Sequence, residues 1–112
     1  MFEVFDKYKN IIKNYEISLW ENEPLTCRFK ARISLIDGIC FIVKDYLFLD
    51  GRKYSYQWQD NDGNLIIRWD NASHWKKIET FPHHRHEKDV ILSSNEITLE
   101  DVLNYISKII LM

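Results

Sequence analysis

The sequence predicts an α+β domain: a four- to five-stranded antiparallel meander sheet with a short N-terminal helix and an amphipathic C-terminal helix. Three observations predict it. The chain has only three glycines, each preceded by aspartate, as Asp37-Gly38, Asp50-Gly51 and Asp62-Gly63. Asp-Gly is a hairpin signal because glycine supplies the positive φ that tight turns need. The segments between these turns are rich in aromatic and β-branched residues. Finally, the last fifteen residues carry an apolar stripe at helical spacing.

Phe5, Tyr8, Ile12 and Tyr15 recur at helical spacing, which predicts the first helix. Tyr15 to Trp20 then offers an additional strand before the break at Glu23-Pro24. The meander follows as Thr26 to Ile36, Ile39 to Leu49, Arg52 to Asp60 and Asn64 to Asp70. In the first of these, Arg28, Lys30 and Arg32 alternate with Cys27, Phe29, Ala31, Ile33 and Leu35, so one side is buried and the other is a basic ladder. Thr98, with Asp101 three residues on, starts the last helix in capping-box fashion. Leu99, Val102, Leu103, Ile106, Ile109 and Ile110 turn its apolar face to the sheet.

Length and composition fit one domain over residues 1–112, 46% hydrophobic and 14% aromatic. No repeat or Ser/Gly linker marks a boundary. The longest apolar stretch is broken by Asp37, Lys44 and Asp45, and no signal-peptide pattern is evident, so the expected location is the cytoplasm, with no membrane contact. Cys27 and Cys40 are expected to be buried thiols too far apart to pair. A net charge of −2 excludes a global basic field, so any nucleic-acid contact must come from a local patch.

Two-residue hairpins would place Ile33 opposite Ile42, Phe29 opposite Tyr46, Val43 opposite Trp58, Lys44 opposite Gln57, Gln57 opposite Arg68 and Ser55 opposite Asp70. Two polar rows emerge, one of Lys44, Gln57 and Arg68, the other of Tyr46, Ser55 and Asp70. The opposite face carries Val43, Leu47, Tyr54, Tyr56, Trp58, Ile67 and Trp69, a seat for a helix. Tyr54, Tyr56 and Trp58 could stack bases, but an aromatic stripe at strand spacing reads first as core.

All four histidines, His74, His83, His84 and His86, lie within thirteen residues, and Pro82 fixes the chain just before them. They read as a loop following the last strand, and three readings stand side by side. In metal-independent RNA cleavage one imidazole takes the 2′-hydroxyl proton and another protonates the leaving oxygen, while a cation steadies the transition state. His83 and His86 are the acid–base candidates, with Arg68 and Asp70 as catalytic partners. Lys44, Gln57, Asn71, His74 and His84 are the candidate substrate contacts. In the second reading, Asp70, His74, His83 and His86 hold a divalent metal, although their spacing fits no standard zinc signature, and the expectation is no cofactor. In the third, the imidazoles cap loops or pack on Trp75, and Arg68 with Asp70 is a surface ion pair.

The order and spacing of several blocks resemble the TumE family of toxins. They are Tyr15-Glu16-Ile17 with Trp20, the alternating strand from Arg28 to Asp37-Gly38, Lys53-Tyr-Ser-Tyr-Gln-Trp-Gln59, Asp62-Gly-Asn-Leu-Ile-Ile-Arg-Trp-Asp-Asn71, His74, Phe81-Pro-His-His-Arg-His86 and Thr98-Leu-Glu-Asp-Val-Leu103. The family typically reads Tyr-His-Trp where this chain has Tyr56-Gln57-Trp58, which removes one candidate catalytic histidine. Trp75 stands where a histidine or small polar residue is usual. The resemblance implies the toxin of a two-protein toxin–antitoxin system, with a small helix-turn-helix antitoxin as partner. Residues and resemblance together give a ribonuclease acting on RNA, or alternatively a non-catalytic module that inhibits its target or docks its partner through the histidine segment. Self-association is left open.

Overall fold

The computed structural model describes residues 2–111. Helix α1 (Phe2–Lys7) leads into seven strands, β1 (Ile12–Asn22), β2 (Cys27–Leu35), β3 (Cys40–Phe48), β4 (Gly51–Gln59), β5 (Leu65–Asp70), β6 (His84–Glu87) and β7 (Val90–Ser93), and helix α2 (Leu99–Ile110) closes the chain. The strands form one antiparallel sheet in sequence order, β1-β2-β3-β4-β5-β6-β7. This corrects the expected four to five strands. Of the four histidines expected in a loop, His74 and His83 lie outside the strands but His84 and His86 are on β6 of a further hairpin, β6–β7, whose tight turn uses Lys88 at φ 53° instead of glycine. With no Asp-Gly to mark it, the turn gave no signal. The first helix is also shorter than its periodicity predicted, because Ile12 and Tyr15 already pair with Leu35 and Ile33.

Hairpin registers follow from the loops. Leu35 N donates to Ile39 O at 2.9 Å, so Ile36, Asp37 and Gly38 form the loop and Ile33 faces Phe41 rather than Ile42. Phe29 accordingly faces Asp45, not Tyr46. At the next turn Phe48 pairs with Gly51, which puts Lys44 opposite Ser55 instead of Gln57, and Val43 opposite Tyr56 instead of Trp58. At the third, Asp60 N donates to Asn64 O at 2.9 Å around Asn61, Asp62 and Gly63. A bulge between Trp58 and Gln59 then restores the expected pairs of Gln57 with Arg68 and Ser55 with Asp70.

One face of the sheet is apolar. Phe29, Ala31, Ile33, Phe41, Val43, Tyr54, Tyr56, Trp58, Ile67 and Trp69 are buried there in one cluster with Phe5, Tyr8 and Ile11. Helix α2 supplies Leu99, Val102, Leu103 and Ile106 to the same cluster. Leu47, expected on this face, is exposed, beyond the cover of the helices. At the start of α2, Asp101 N donates to Thr98 Oγ1 at 3.2 Å and Thr98 N to Asp101 Oδ2 at 2.9 Å, so two orphan donors are satisfied reciprocally. An exposed ion pair from Lys7 to Glu100 links α1 to α2. The two cysteines are free, and Cys27 is only half-buried, its thiol reaching Asn22.

Leu103 is fully buried between helix and sheet. Leu103→Ala should cost about 2–5 kcal/mol, the range for truncating a buried leucine. Thermal or urea unfolding checks it. A loss under about 1 kcal/mol would mean that α2 is not an integral part of the core.

A partly buried charge clips the sheet to the segment before α2. Arg52 meets both oxygens of Asp45 at 3.0 Å and reaches Glu96 at 3.2 Å, with its guanidinium 4.2 Å from the Tyr54 ring centroid. Burial works against the Arg52 charge, but the hydrogen bonds to Asp45 and Glu96 and the charge interactions with Tyr56 and Asp45 together outweigh it and raise its pKa. Burial, then the neighbouring Asp45, pushes the Tyr56 phenol up as well.

Candidate functional site

The other face of the sheet is polar, and the register sets its rows. Lys44 on β3, Ser55 on β4, Asp70 on β5 and His84 on β6 lie side by side. The next row runs Gln57, Arg68, His86. The expected row of Lys44, Gln57 and Arg68 is therefore corrected by the Phe48–Gly51 pairing: Lys44 shares its row with Asp70. Tyr46, expected beside Ser55, pairs with Lys53.

All of these side chains but His84 and His86 border a groove of about 950 Å³. Its lining includes Lys44, Gln57, Arg68, Asp70, Asn71 and His74, six of the residues singled out from the sequence, together with Ser55, Phe81 and Pro82. The Phe81–Pro82 peptide is cis. Thr80 anchors the segment behind it, donating to His83 O at 2.6 Å and accepting from Ser94 N at 2.8 Å. His74 is exposed on this lining. Asn71 has a structural assignment: its amide oxygen accepts from Tyr54 N at 3.0 Å and its amide nitrogen donates to Arg52 O at 2.6 Å, closing the end of β4.

The histidines divide between the two faces. His83 precedes β6 on the helix side, where its Nδ1 meets the Tyr54 hydroxyl at 2.9 Å and its ring stacks on Tyr54. Burial pushes the Tyr54 phenol up to about 12. His83 and His86 thus do not form the expected pair. His84 and His86, two residues apart on one strand, point to the polar face with Asp70, because alternate residues share a face. His84 Nε2 lies 2.8 Å from Asp70 Oδ1, His86 Nε2 lies 3.4 Å from Asp70 Oδ2, and the two Nε2 atoms are 3.0 Å apart. Pro82 O faces His84 Nδ1 at 2.9 Å, and Trp75 packs edge-on against the His86 ring. Arg68 Nε donates to Asp70 Oδ2 at 3.2 Å, and Ala72 N donates to Oδ1 at 3.0 Å.

This is more than a surface ion pair, because Asp70 is only 7% exposed and serves Arg68, both imidazoles and a backbone amide at once. Burial, then the Arg68 charge, lowers the His86 pKa in spite of Asp70. His86 is therefore a neutral imidazole at neutral pH, able to accept a proton or ligate a cation. Its side chain is 12% exposed and that of His84 1%, so the pair stands behind Asp70 and not in the groove wall.

On the same face, Lys30 sits directly across from Lys44, and neither forms an ion pair among the described residues. Like charges opposed on neighbouring strands are unfavourable unless an anion sits between or over them. Lys44 and Arg68 line the groove and give it a local positive wall on a chain of net negative charge, while Lys30 lies in a neighbouring depression with Glu16 and Arg32.

Among the described residues, no helix is long and apolar enough to cross a membrane. Comparison with known families finds one described as Toxin TumE, matching residues 1–110. No curated protein and no solved structure gives a significant match.

Proposed function

Since the chain belongs to the TumE family of toxins, we propose that it inhibits growth by cutting RNA as an endoribonuclease in the cytoplasm, and that a small helix-turn-helix antitoxin restrains it. The observation that carries this reading is the groove itself: Lys44 and Arg68 line it together with Asp70, which has two imidazoles immediately behind it. A phosphodiester suits such a wall, because a lysine gives a point charge and an arginine a planar fork to the non-bridging oxygens. RNA cleavage then needs a proton acceptor for the attacking hydroxyl and a donor for the leaving oxygen. The acceptor comes from the Asp70, His84 and His86 cluster. The donor is His74, the imidazole exposed on the groove lining.

One observation favours a second reading. The cluster imidazoles are covered, while Trp75 and Phe81 stand 42% exposed beside them, as a docking surface would have it. In that case the toxin acts by binding.

Expression of the chain alone should slow growth, and co-expression of its antitoxin should restore it. Purified protein incubated with total RNA should yield discrete fragments. Growth arrest without fragments would leave the binding reading standing and remove the ribonuclease. Unchanged growth at verified soluble expression would count against both.

A further inference from the structure

We infer that Asp70, His84 and His86 form a binding site for one divalent transition-metal ion of the zinc class. The site deepens the ribonuclease reading by naming the group that would generate its base, and it rests on that reading only for its purpose. It replaces the ligand set expected from the sequence, Asp70, His74, His83 and His86. His74 is not in the cluster, and His83 is turned to Tyr54.

Pro82 O can only accept, so His84 Nδ1 carries the hydrogen between them, and a neutral His84 presents the lone pair of Nε2. That lone pair faces Asp70 Oδ1 at 2.8 Å and His86 Nε2 at 3.0 Å. Asp70 Oδ1 can only accept, so its contact with His84 Nε2 needs a positive centre, which a proton or a bound metal ion would supply. A metal ion serves all three groups together.

The spacing agrees. Ligands about 2.0–2.1 Å from a zinc ion lie about 3.3 Å apart in tetrahedral geometry. The two imidazole nitrogens are 3.0 Å apart, His84 Nε2 lies 2.8 Å from Asp70 Oδ1 and His86 Nε2 lies 3.4 Å from the other carboxylate oxygen, and one ligand atom from each residue lies within 4.8 Å of the other two, close enough to share one ion. Outer contacts are in place too. His84 is oriented by a backbone carbonyl, and the Asp70 carboxylate is held by Arg68 Nε–H and Ala72 N–H. Such bonds fix the tautomer and direction of metal ligands. Two imidazoles and one carboxylate select the zinc class over magnesium or calcium, and three protein ligands leave coordination positions open, as in catalytic sites.

The test is a calorimetric titration of the chelator-treated full chain with Zn²⁺, and separately with Mn²⁺, alongside melting curves. Wild-type protein should take up one equivalent of Zn²⁺ saturably and melt at a higher temperature with it. Asp70→Asn and His86→Ala should each lose more affinity than the roughly 10–100-fold typical of an outer-contact loss. His83→Ala and His74→Ala should bind as wild type. If His86→Ala does not fold, His86→Gln and Asp70→Asn carry the comparison. Absence of a one-equivalent phase in the wild type, or wild-type affinity in both ligand variants, overturns the inference. Metal bound by protein that cuts no RNA would sink only the ribonuclease. RNA cut at full rate in chelator, with no metal bound, would sink only the metal site.

Discussion

His86→Ala should reduce RNA cleavage on the order of 10²–10⁴-fold, the size associated with losing the group that provides the base, while His83→Ala should stay within a few-fold of wild type. The two imidazoles lie only three residues apart, yet they serve opposite faces of the sheet. His86 stands against Asp70 and His84, with Arg68 on the same carboxylate. His83 stacks on Tyr54 and meets its hydroxyl at 2.9 Å. Removing His83 therefore acts on stability, costing about 1–2 kcal/mol for one hydrogen bond and one ring contact. Turnover and unfolding measured on the same preparations separate the roles. A folded, inactive His83→Ala beside an active His86→Ala would move the chemistry to the Tyr54 side.

Arg68→Lys should slow cleavage roughly thirty- to a thousand-fold, equivalent to about 2–4 kcal/mol of transition-state stabilisation. Lysine keeps the charge and most of the stem but cannot offer two coplanar donors to a phosphate. Arg68 Nε is engaged with Asp70 at 3.2 Å, and the guanidinium, on a side chain 38% exposed, borders the groove. If the arginine served only as the partner of Asp70, the change would lower stability by less than about 1 kcal/mol and hardly move the rate. Near-normal turnover by Arg68→Lys, with His86→Ala inactive, would assign the chemistry to the cluster alone.

The inward and outward faces of the strands were legible in the sequence, because a period of two is imposed on every strand that buries one side. Phe29, Ala31 and Ile33 are buried between exposed Lys30 and half-buried or exposed Arg28 and Arg32, as the alternation required. Tyr54, Tyr56 and Trp58 are core. The cap at Thr98 was equally legible, since its hydrogen bonds span three residues. The near-complete match to the TumE family agrees with the resemblance carried by the blocks from Tyr15 to Leu103.

Register was legible only where errors cancelled. Gln57 does face Arg68, but through a longer loop compensated by a bulge, whereas Lys44 lands opposite Ser55 because Phe48 pairs with Gly51. An Asp-Gly pair announces a turn without stating which residues close it. The last hairpin left no such trace, since Lys88 takes the left-handed conformation without glycine.

By itself, then, the sequence determined the family, the meander, its two faces and the set of groups available for chemistry, because these depend on local spacing and on side-chain alternation. Tertiary structure alone decided which groups meet. Asp70 and His84 are fourteen positions apart in the chain and become neighbours through the pairing of β5 with β6. The same pairing turns His83 away, because adjacent residues at a strand's start point to opposite faces, and no periodicity in the sequence could tell where that strand begins.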